Sequence, residues 1–286
     1  MKRTLMILAP ALVFSFAAAL AKNPGNIKPP KFDPPNLQAF ENEHLPWGYP
    51  SWHSDVMIYR DGYSIGYDNE KKSAAWVCYH VRNGYYKPAA GSAKWAGDPA
   101  TPAGARAGVE DYKKIKKTRY FDKAQLFPAD LARGNKDFKA QAFFLSNALP
   151  ADPALAAGPW KSLNGRIKAW SAVYPDLNVC AGPVFADDDG DGSVEYETLG
   201  ANRIAVPDAL YAVVARYSAS NPVAGAKALA FLFPNSPETK KQVAMKYLTT
   251  VDRVESVTGL DFFPRLPVPA QAKIESEINL SGWNRP

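Results

Sequence analysis

Short hydrophobic runs rich in β-branched and aromatic residues, set off by polar and turn residues, dominate the middle of the chain and predict strands. Asp55-Val56-Met57-Ile58-Tyr59 and Tyr63-Ser64-Ile65-Gly66-Tyr67 flank Arg60-Asp61-Gly62, which reads as a hairpin turn. Residues 76–81 form a third strand, and 177–185 a buried one ending at Gly182-Pro183. Two more strand-like runs follow at 205–217 and 226–233. Helical spacing is clearest at 159–173, where Trp160, Leu163, Ile167 and Trp170 recur three and four apart and Pro159 fits the first turn. Helices are also expected at 238–250, at 251–259 and near 270–278. Residues 84–118, polar and rich in Gly, Ala and Lys, read as a long surface segment. Strands and helices mix without strict alternation, which predicts an α+β layout with a mostly antiparallel sheet flanked by helices.

Composition refines this picture. Of the 286 residues, 47% are hydrophobic and 22% charged, enough for one sizeable core. Of the 25 prolines, ten lie within 24–50 and 88–102, so 22–54 is expected to be an irregular N-terminal arm. Lys2 and Arg3, the apolar stretch from Leu5 to Leu20, and Ala19-Leu20-Ala21 form a signal-peptide pattern over 1–21. That predicts a periplasmic or secreted protein, with an uncleaved anchor as the alternative. No later run is long and apolar enough to span a membrane. Cleavage removes two of the 34 basic residues and none of the 28 acidic ones, which lowers the net charge from +6 to +4. This mild excess suits a polyanion without requiring one. Cys78 and Cys180 lie in strand-like runs, so a disulfide is open to them if the strands are neighbours; two buried thiols are the alternative.

Several segments, in order, resemble the DNA/RNA non-specific endonucleases, the ββα-metal nucleases. Tyr63 to Tyr67 and Trp76-Val77-Cys78-Tyr79-His80 resemble that family's first strands. Phe143-Phe144-Leu145-Ser146-Asn147 with Pro150 is similar to its F-x-L-S-N-x-x-P stretch, and Cys180-Ala181-Gly182-Pro183-Val184-Phe185 to its T-G-P-V-F strand. Ala230-Phe231-Leu232-Phe233-Pro234-Asn235 resembles A-F-x-x-P-N. Val251-Asp252-Arg253-Val254-Glu255 with Thr258-Gly259-Leu260-Asp261-Phe262-Phe263-Pro264 resembles the closing S-V-D-x-I-E-x-x-T-G-L-D-F-F-P. The resemblance implies a nuclease-like domain over 55–267, with 268–286 left as a C-terminal tail.

The same resemblance implies which positions should carry chemistry. Such an enzyme needs a His base in D-R-G-H-L-x-P, an Asn in N-x-G-x-W to hold a divalent ion, and a Glu in W-x-x-L-E to orient its water shell. Here the first motif reads Asp122-Lys123-Ala124-Gln125-Leu126-Phe127-Pro128, and Gln125 cannot titrate. The second reads Ala156-Ala157-Gly158-Pro159-Trp160, and Ala156 offers a cation no oxygen. The third reads Trp160-Lys161-Ser162-Leu163-Asn164, and Asn164 lacks the charge. Only His44, His53 and His80 exist, all ahead of the motif. The expectation is a catalytically silent member with no catalytic magnesium. The alternative is an active phosphodiester hydrolase with a non-standard base.

Two charged runs remain. Asp187-Asp188-Asp189-Gly190-Asp191-Gly192-Ser193-Val194-Glu195 begins like a calcium loop but lacks its closing Glu, since Thr198 stands there. Its place after G-P-V-F resembles the inactive nuclease-like domains of ecto-nucleotide pyrophosphatase/phosphodiesterases. That implies Asp187, Asp189, Asp191, Ser193 and Glu195 as ligands of a structural Ca2+; a solvated acidic turn is the alternative. Lys113, Lys114, Lys116, Lys117 and Arg119, with Lys123, are candidates for nucleic-acid phosphates, or else a solvated face. A protein partner is the other class of ligand expected.

Overall fold

The β-branched and aromatic runs recognised in the sequence do pair with one another. In the computed structural model, residues 37–50, 54–113, 119–186, 194–217 and 225–283 are described. Seven strands form one sheet: β1 (Val56–Tyr59), β2 (Ser64–Asp68), β3 (Ser73–Val81), β6 (Asp176–Val184), β9 (Ala209–Tyr217), β10 (Lys227–Pro234) and β11 (Leu248–Thr249). They lie side by side in that order, and every pairing is antiparallel. Two small sheets stand apart, one from β4 (Asp122–Gln125) and β5 (Ala148–Ala151), the other from β7 (Thr198–Leu199) and β8 (Ile204–Ala205). The helices are α1 (Leu37–His44), α2 (Lys136–Ala142), α3 (Pro153–Leu155), α4 (Lys161–Ser171), α5 (Val251–Thr258) and α6 (Val268–Ser276). This is the α+β arrangement the sequence predicts.

The central strands are buried on both faces, and their period of two divides the core. Val77, Tyr79 and Val81 of β3, Leu177 and Val179 of β6, and Leu229, Phe231 and Phe233 of β10 point to one face. Leu163, Ile167 and Trp170 of α4 cover that face, together with Ala124 and Leu149 of the β4–β5 pair. Trp76 and Cys78, Val213 and Tyr217, and Ala228 point to the other, where Val251, Val254 and Ile274 of α5 and α6 meet them. Each face removes apolar surface from water at about 25 cal/mol per Å2. Cys78 and Cys180 are directly opposite across β3 and β6, on this second face, and are joined as a disulfide with their Cα atoms 4.2 Å apart. Gly182 sits where a Cβ would come 2.5 Å from the Ala75 carbonyl and 2.8 Å from the Tyr211 ring, so a side chain there has no room.

Three expectations are corrected. The arm of 22–54 is not uniformly irregular. Its described part contains α1, and Leu45, Trp47 and Tyr49 are buried against the second face. These apolar residues alternate with Pro46, Gly48 and Pro50, and the backbone turns there, the Gly48 N–H donating to the Leu45 carbonyl at 3.0 Å with Gly48 at φ 96°, so the segment is irregular yet inside. Residues 238–250 form no α-helix. Lys241 takes a left-handed φ of 61°, 3-10 turns occupy Pro237–Thr239 and Ala244–Tyr247, and Leu248–Thr249 pairs with β10. Nor is 84–118 a surface segment throughout. Asp98, Thr101, Ala105, Ala107, Asp111 and Tyr112 are buried. The burial of Asp98 is offset by Arg60 at 2.6 Å, Ser146 Oγ at 2.5 Å and the Ala100 N–H at 2.8 Å.

The helix expected at 251–259 is α5. Thr250 caps it by accepting the Arg253 N–H, and Gly259 ends it at φ 69°. The C-terminal segment also docks. Trp283 packs its ring 4.8 Å from that of Trp170 and 5.5 Å from that of Tyr174. No helix among the described residues is long and apolar enough to cross a membrane.

Candidate active-site cleft

The three positions where the family would hold its base, metal ligand and orienting carboxylate fall together. Gln125, Ala156 and Asn164 line one cleft of about 230 Å3, with Trp95, Lys123, Ala124, Pro128, Trp160 and Lys161. Local structure explains the convergence. Gln125 ends β4, which is held in place by Asn147: its Oδ1 accepts the Phe127 N–H at 2.7 Å and its Nδ2 donates to the Phe127 carbonyl at 2.9 Å. Ala156 opens a π-helical turn, Ala156–Trp160, that leads into α4, which carries Asn164. Gly158 breaks the helical dihedrals there (φ −96°, ψ −111°), and Pro159 supplies no N–H. Trp160 bridges the two elements by donating from Nε1 to the Gln125 carbonyl at 2.9 Å.

The cleft's chemistry does not suit a divalent cation. Gln125 donates from Nε2 to the Ala142 carbonyl at 3.0 Å, and Asn147 donates to the same oxygen at 2.9 Å. Ala156 contributes a methyl group. Among the described residues, the lining includes two ammonium groups, Lys123 and Lys161, and neither a carboxylate nor an imidazole. Hard divalent ions want anionic oxygen ligands, and two nearby cations repel them. The residues present therefore do not fit the catalytic ion that the family chemistry implies.

The described histidines are elsewhere. His80 lies on β3 between Tyr79 and Val81, which point to the cleft side; its ring faces the other way, 6.1 Å from that of Tyr217. There His80 Nε2 bonds Asp176 Oδ1 at 2.9 Å, and Arg82 shares that carboxylate at 2.7 Å. Burial lowers the His80 pKa against the pull of Asp176. His44 is fully buried, donates from Nε2 to the Asp61 carbonyl at 3.2 Å and accepts the His80 N–H at Nδ1. His53 lies outside the described residues.

The basic run separates into different fates. Lys114, Lys116 and Lys117 lie outside the described residues. Lys113 is exposed and paired with Glu110. Arg119 donates to the Asn235 carbonyl at 2.9 Å, reaches Asp152 at 3.4 Å and covers the Phe121 ring, so it works as a brace. Lys123 alone of the described candidates lines the cleft, 4.6 Å from the Tyr112 ring centroid and 5.7 Å from that of Trp95; burial lowers its pKa. Lys161 and Trp95 were not singled out from the sequence. Lys161 could have been, since it stands three residues before Asn164 on the same helix. Trp95 came from a segment without periodicity.

Asp187, Asp189, Asp191 and Ser193 lie outside the described residues, and Glu195 is exposed. The ends of their loop are drawn together: the Phe185 and Tyr196 rings lie 5.5 Å apart, with the Lys71 ammonium over both. Asp208 accepts the Ala186 N–H at 2.8 Å.

Fold and cleft together define a nuclease-type scaffold, and comparison with known proteins gives the family. The DNA/RNA non-specific endonuclease model matches residues 41–268, so the chain belongs to that family. It is similar to the protein named Nuclease EXOG, mitochondrial, of Danio rerio, with 28% identity over 226 residues, 77% of this chain and 64% of the relative. Nuclease C1 of Cunninghamella echinulata var. echinulata is 28% identical over 232 residues, 78% of this chain and 88% of its own. Endonuclease G, mitochondrial, of Homo sapiens is 26% identical over 212 residues, 72% and 69%. The chain thus spans under two thirds of the EXOG relatives of Danio rerio and Xenopus laevis, 64% and 61%. The crystal structure of the EndoG/EndoGI complex shares the fold at a TM-score of 0.70 and 23% identity, covering 82% of this chain and 94% of that one.

Proposed function

We propose that this protein is an exported nuclease-like protein that does not hydrolyse phosphodiesters and keeps the old cleft as a binding surface for nucleic acid. One observation carries the reading. Where the family chemistry requires a base, a metal ligand and a carboxylate, the cleft offers Gln125, Ala156 and Asn164 beside two lysines. Attack of water on phosphorus needs a proton acceptor within hydrogen-bond reach and a cation to stabilise the charge that develops. Lys123 and Lys161 instead suit phosphate oxygens, and Trp95 beside Lys123 suits a stacked base.

Other features belong to the same reading. The signal-like 1–21 and the Cys78–Cys180 bond suit an oxidising compartment, periplasmic or extracellular. The acidic loop from Asp187 to Glu195 suits a structural Ca2+ at millimolar concentrations, since its carboxylates crowd without a cation. A protein ligand in the cleft is the competing occupant; EndoG, which shares the fold, has one protein partner in its complex with EndoGI.

The test is a plasmid and RNA cleavage assay with Mg2+, Mn2+ and Ca2+, run on the chain lacking 1–21 and on Gln125→His/Ala156→Asn/Asn164→Glu. The expected result is metal-dependent cutting by the restored variant alone. Cutting by the unaltered chain that chelation abolishes would overturn the proposal and favour an active endonuclease with a non-standard base.

A further inference from the structure

Away from the cleft, on the opposite face of the sheet, three carboxylates converge between α5 and α6. Asp252, Glu255 and Glu275 each offer an oxygen within 4.8 Å of the others. The sequence places the first two three residues apart on α5, so they share a face. Glu275 comes from α6, which is anchored to the preceding loop by Gln271 Nε2, donating to Asp261 Oδ1 at 2.8 Å and to the Phe262 carbonyl at 2.9 Å. Ile274, beside Glu275, sits in the core and seats the helix on the sheet.

Glu275 is the decisive member. The residue is only 6% exposed, and its Oε1 is buried without a hydrogen-bond donor. Buried carboxylate oxygens are ordinarily satisfied, and one left unpaired beside two other carboxylates lacks a positive partner. Glu255 is half satisfied, since its Oε1 accepts the Phe262 N–H at 2.7 Å. Asp252 is exposed and leaves the site an open edge. Among the described residues this is the one group of three such ligands so close together.

The geometry points to a divalent-cation site formed by Asp252, Glu255 and Glu275 that fastens α6 to α5. All-oxygen, anionic donors with one solvent-facing side select a hard ion such as Ca2+ or Mn2+, with water completing its shell. The site is separate from the acidic loop and from the cleft, and it needs neither to be functional.

The experiment uses the chain lacking 1–21 with the loop silenced by Asp187→Asn, Asp189→Asn and Asp191→Asn. Equilibrium dialysis against Ca2+ at about pH 8 should still find about one bound ion per chain, and adding Glu275→Gln should remove it. Asp252→Asn, at an exposed position that cannot disturb the core, should weaken binding by roughly tenfold. Mn2+ should broaden amide resonances around 252, 255 and 275 before any others. Circular dichroism and thermal unfolding without metal check that each variant folds. No bound ion in the loop-silenced chain, or binding indifferent to Glu275→Gln and Asp252→Asn, would overturn the assignment and leave a proton shared between Glu255 and Glu275 as the occupant. Loss of one ion on silencing the loop reports on that loop alone, so the two calcium readings fail separately.

Discussion

Trp160 donates its indole N–H to the main-chain carbonyl of Gln125, 2.9 Å away, and so ties the helix that carries Asn164 to the strand that carries Gln125. The bond holds two walls of the cleft in fixed relation. Trp160 is buried, and its ring meets Phe233 edge-on at 5.7 Å. Trp160→Phe should retain most of the packing and leave the Gln125 carbonyl without its donor. The expected cost is about 1–3 kcal/mol, read from the urea midpoint at unchanged slope. In the Gln125→His/Ala156→Asn/Asn164→Glu background, the same change should also lower the recovered cleavage. Unaltered stability would mean the bond only accompanies the packing.

The cleft lysines and the brace arginine should separate in a binding experiment. Lys123 and Lys161 line the cleft, whereas Arg119 is bonded to Asn235 and Asp152. Lys123→Ala and Lys161→Ala should each weaken single-stranded DNA binding and reduce the salt slope by about one, with unfolding little affected. Arg119→Ala should lower stability and leave the slope alone. A slope that falls only with Arg119→Ala would place the polyanion surface outside the cleft.

Much of this molecule was legible in the sequence because buried strands advertise themselves. Runs such as Leu210 to Tyr217 and Ala228 to Phe233 have no fate but the centre of a sheet, and Thr250 and Gly259 mark both ends of α5 by their capping chemistry. The positions Gln125, Ala156 and Asn164 were found by their motif neighbours, which fold them into one cleft. What failed to show had no period. Leu45, Trp47 and Tyr49 are buried in a turning, non-repetitive segment after α1, where proline content spoke only for irregular backbone. Asp98 is buried because Arg60 and Ser146, 38 and 48 residues away in sequence, complete its hydrogen bonds. The trio of Asp252, Glu255 and Glu275 depends on how two helices dock, which neither helix encodes alone.

The Cys78–Cys180 bond joins central strands 102 residues apart in sequence, so cutting it mainly frees the unfolded chain. Cys78→Ala/Cys180→Ala should lose about 2–5 kcal/mol while keeping its far-UV spectrum. Reductant should lower the unfolding midpoint of the unaltered chain toward that of the variant and leave the variant itself unmoved. An unaltered chain insensitive to reductant, with two thiols titrating after unfolding, would show that the sulfurs are not bonded as isolated.

His44 makes the fold's acid response predictable. Burial, reinforced by the Arg133 and His80 charges and opposed by Glu43, lowers its pKa from 6.5 to about 4. Its neutral form is fixed by use: Nε2 donates to Asp61 and Nδ1 accepts from His80. Between pH 4 and 6.5 the unfolded chain takes up a proton that the folded chain refuses, so stability rises with pH across that window and is lost as pH falls through it. The full effect of this one group is about 3 kcal/mol. Glu255 and Glu275 act in the opposite sense. Burial first, then neighbouring carboxylates, raise them to about 8 and about 7 without an ion, so the folded chain keeps protons there and stability falls as pH rises from about 4.5. The two trends partly cancel in the unaltered protein, and the His44 contribution must be read as a difference. His44→Gln should be less stable than the unaltered chain at about pH 7.5, and the gap should narrow steadily toward about pH 4.5 in urea titrations. A gap independent of pH would mean that the imidazole gains its proton in the folded state as readily as in the unfolded one.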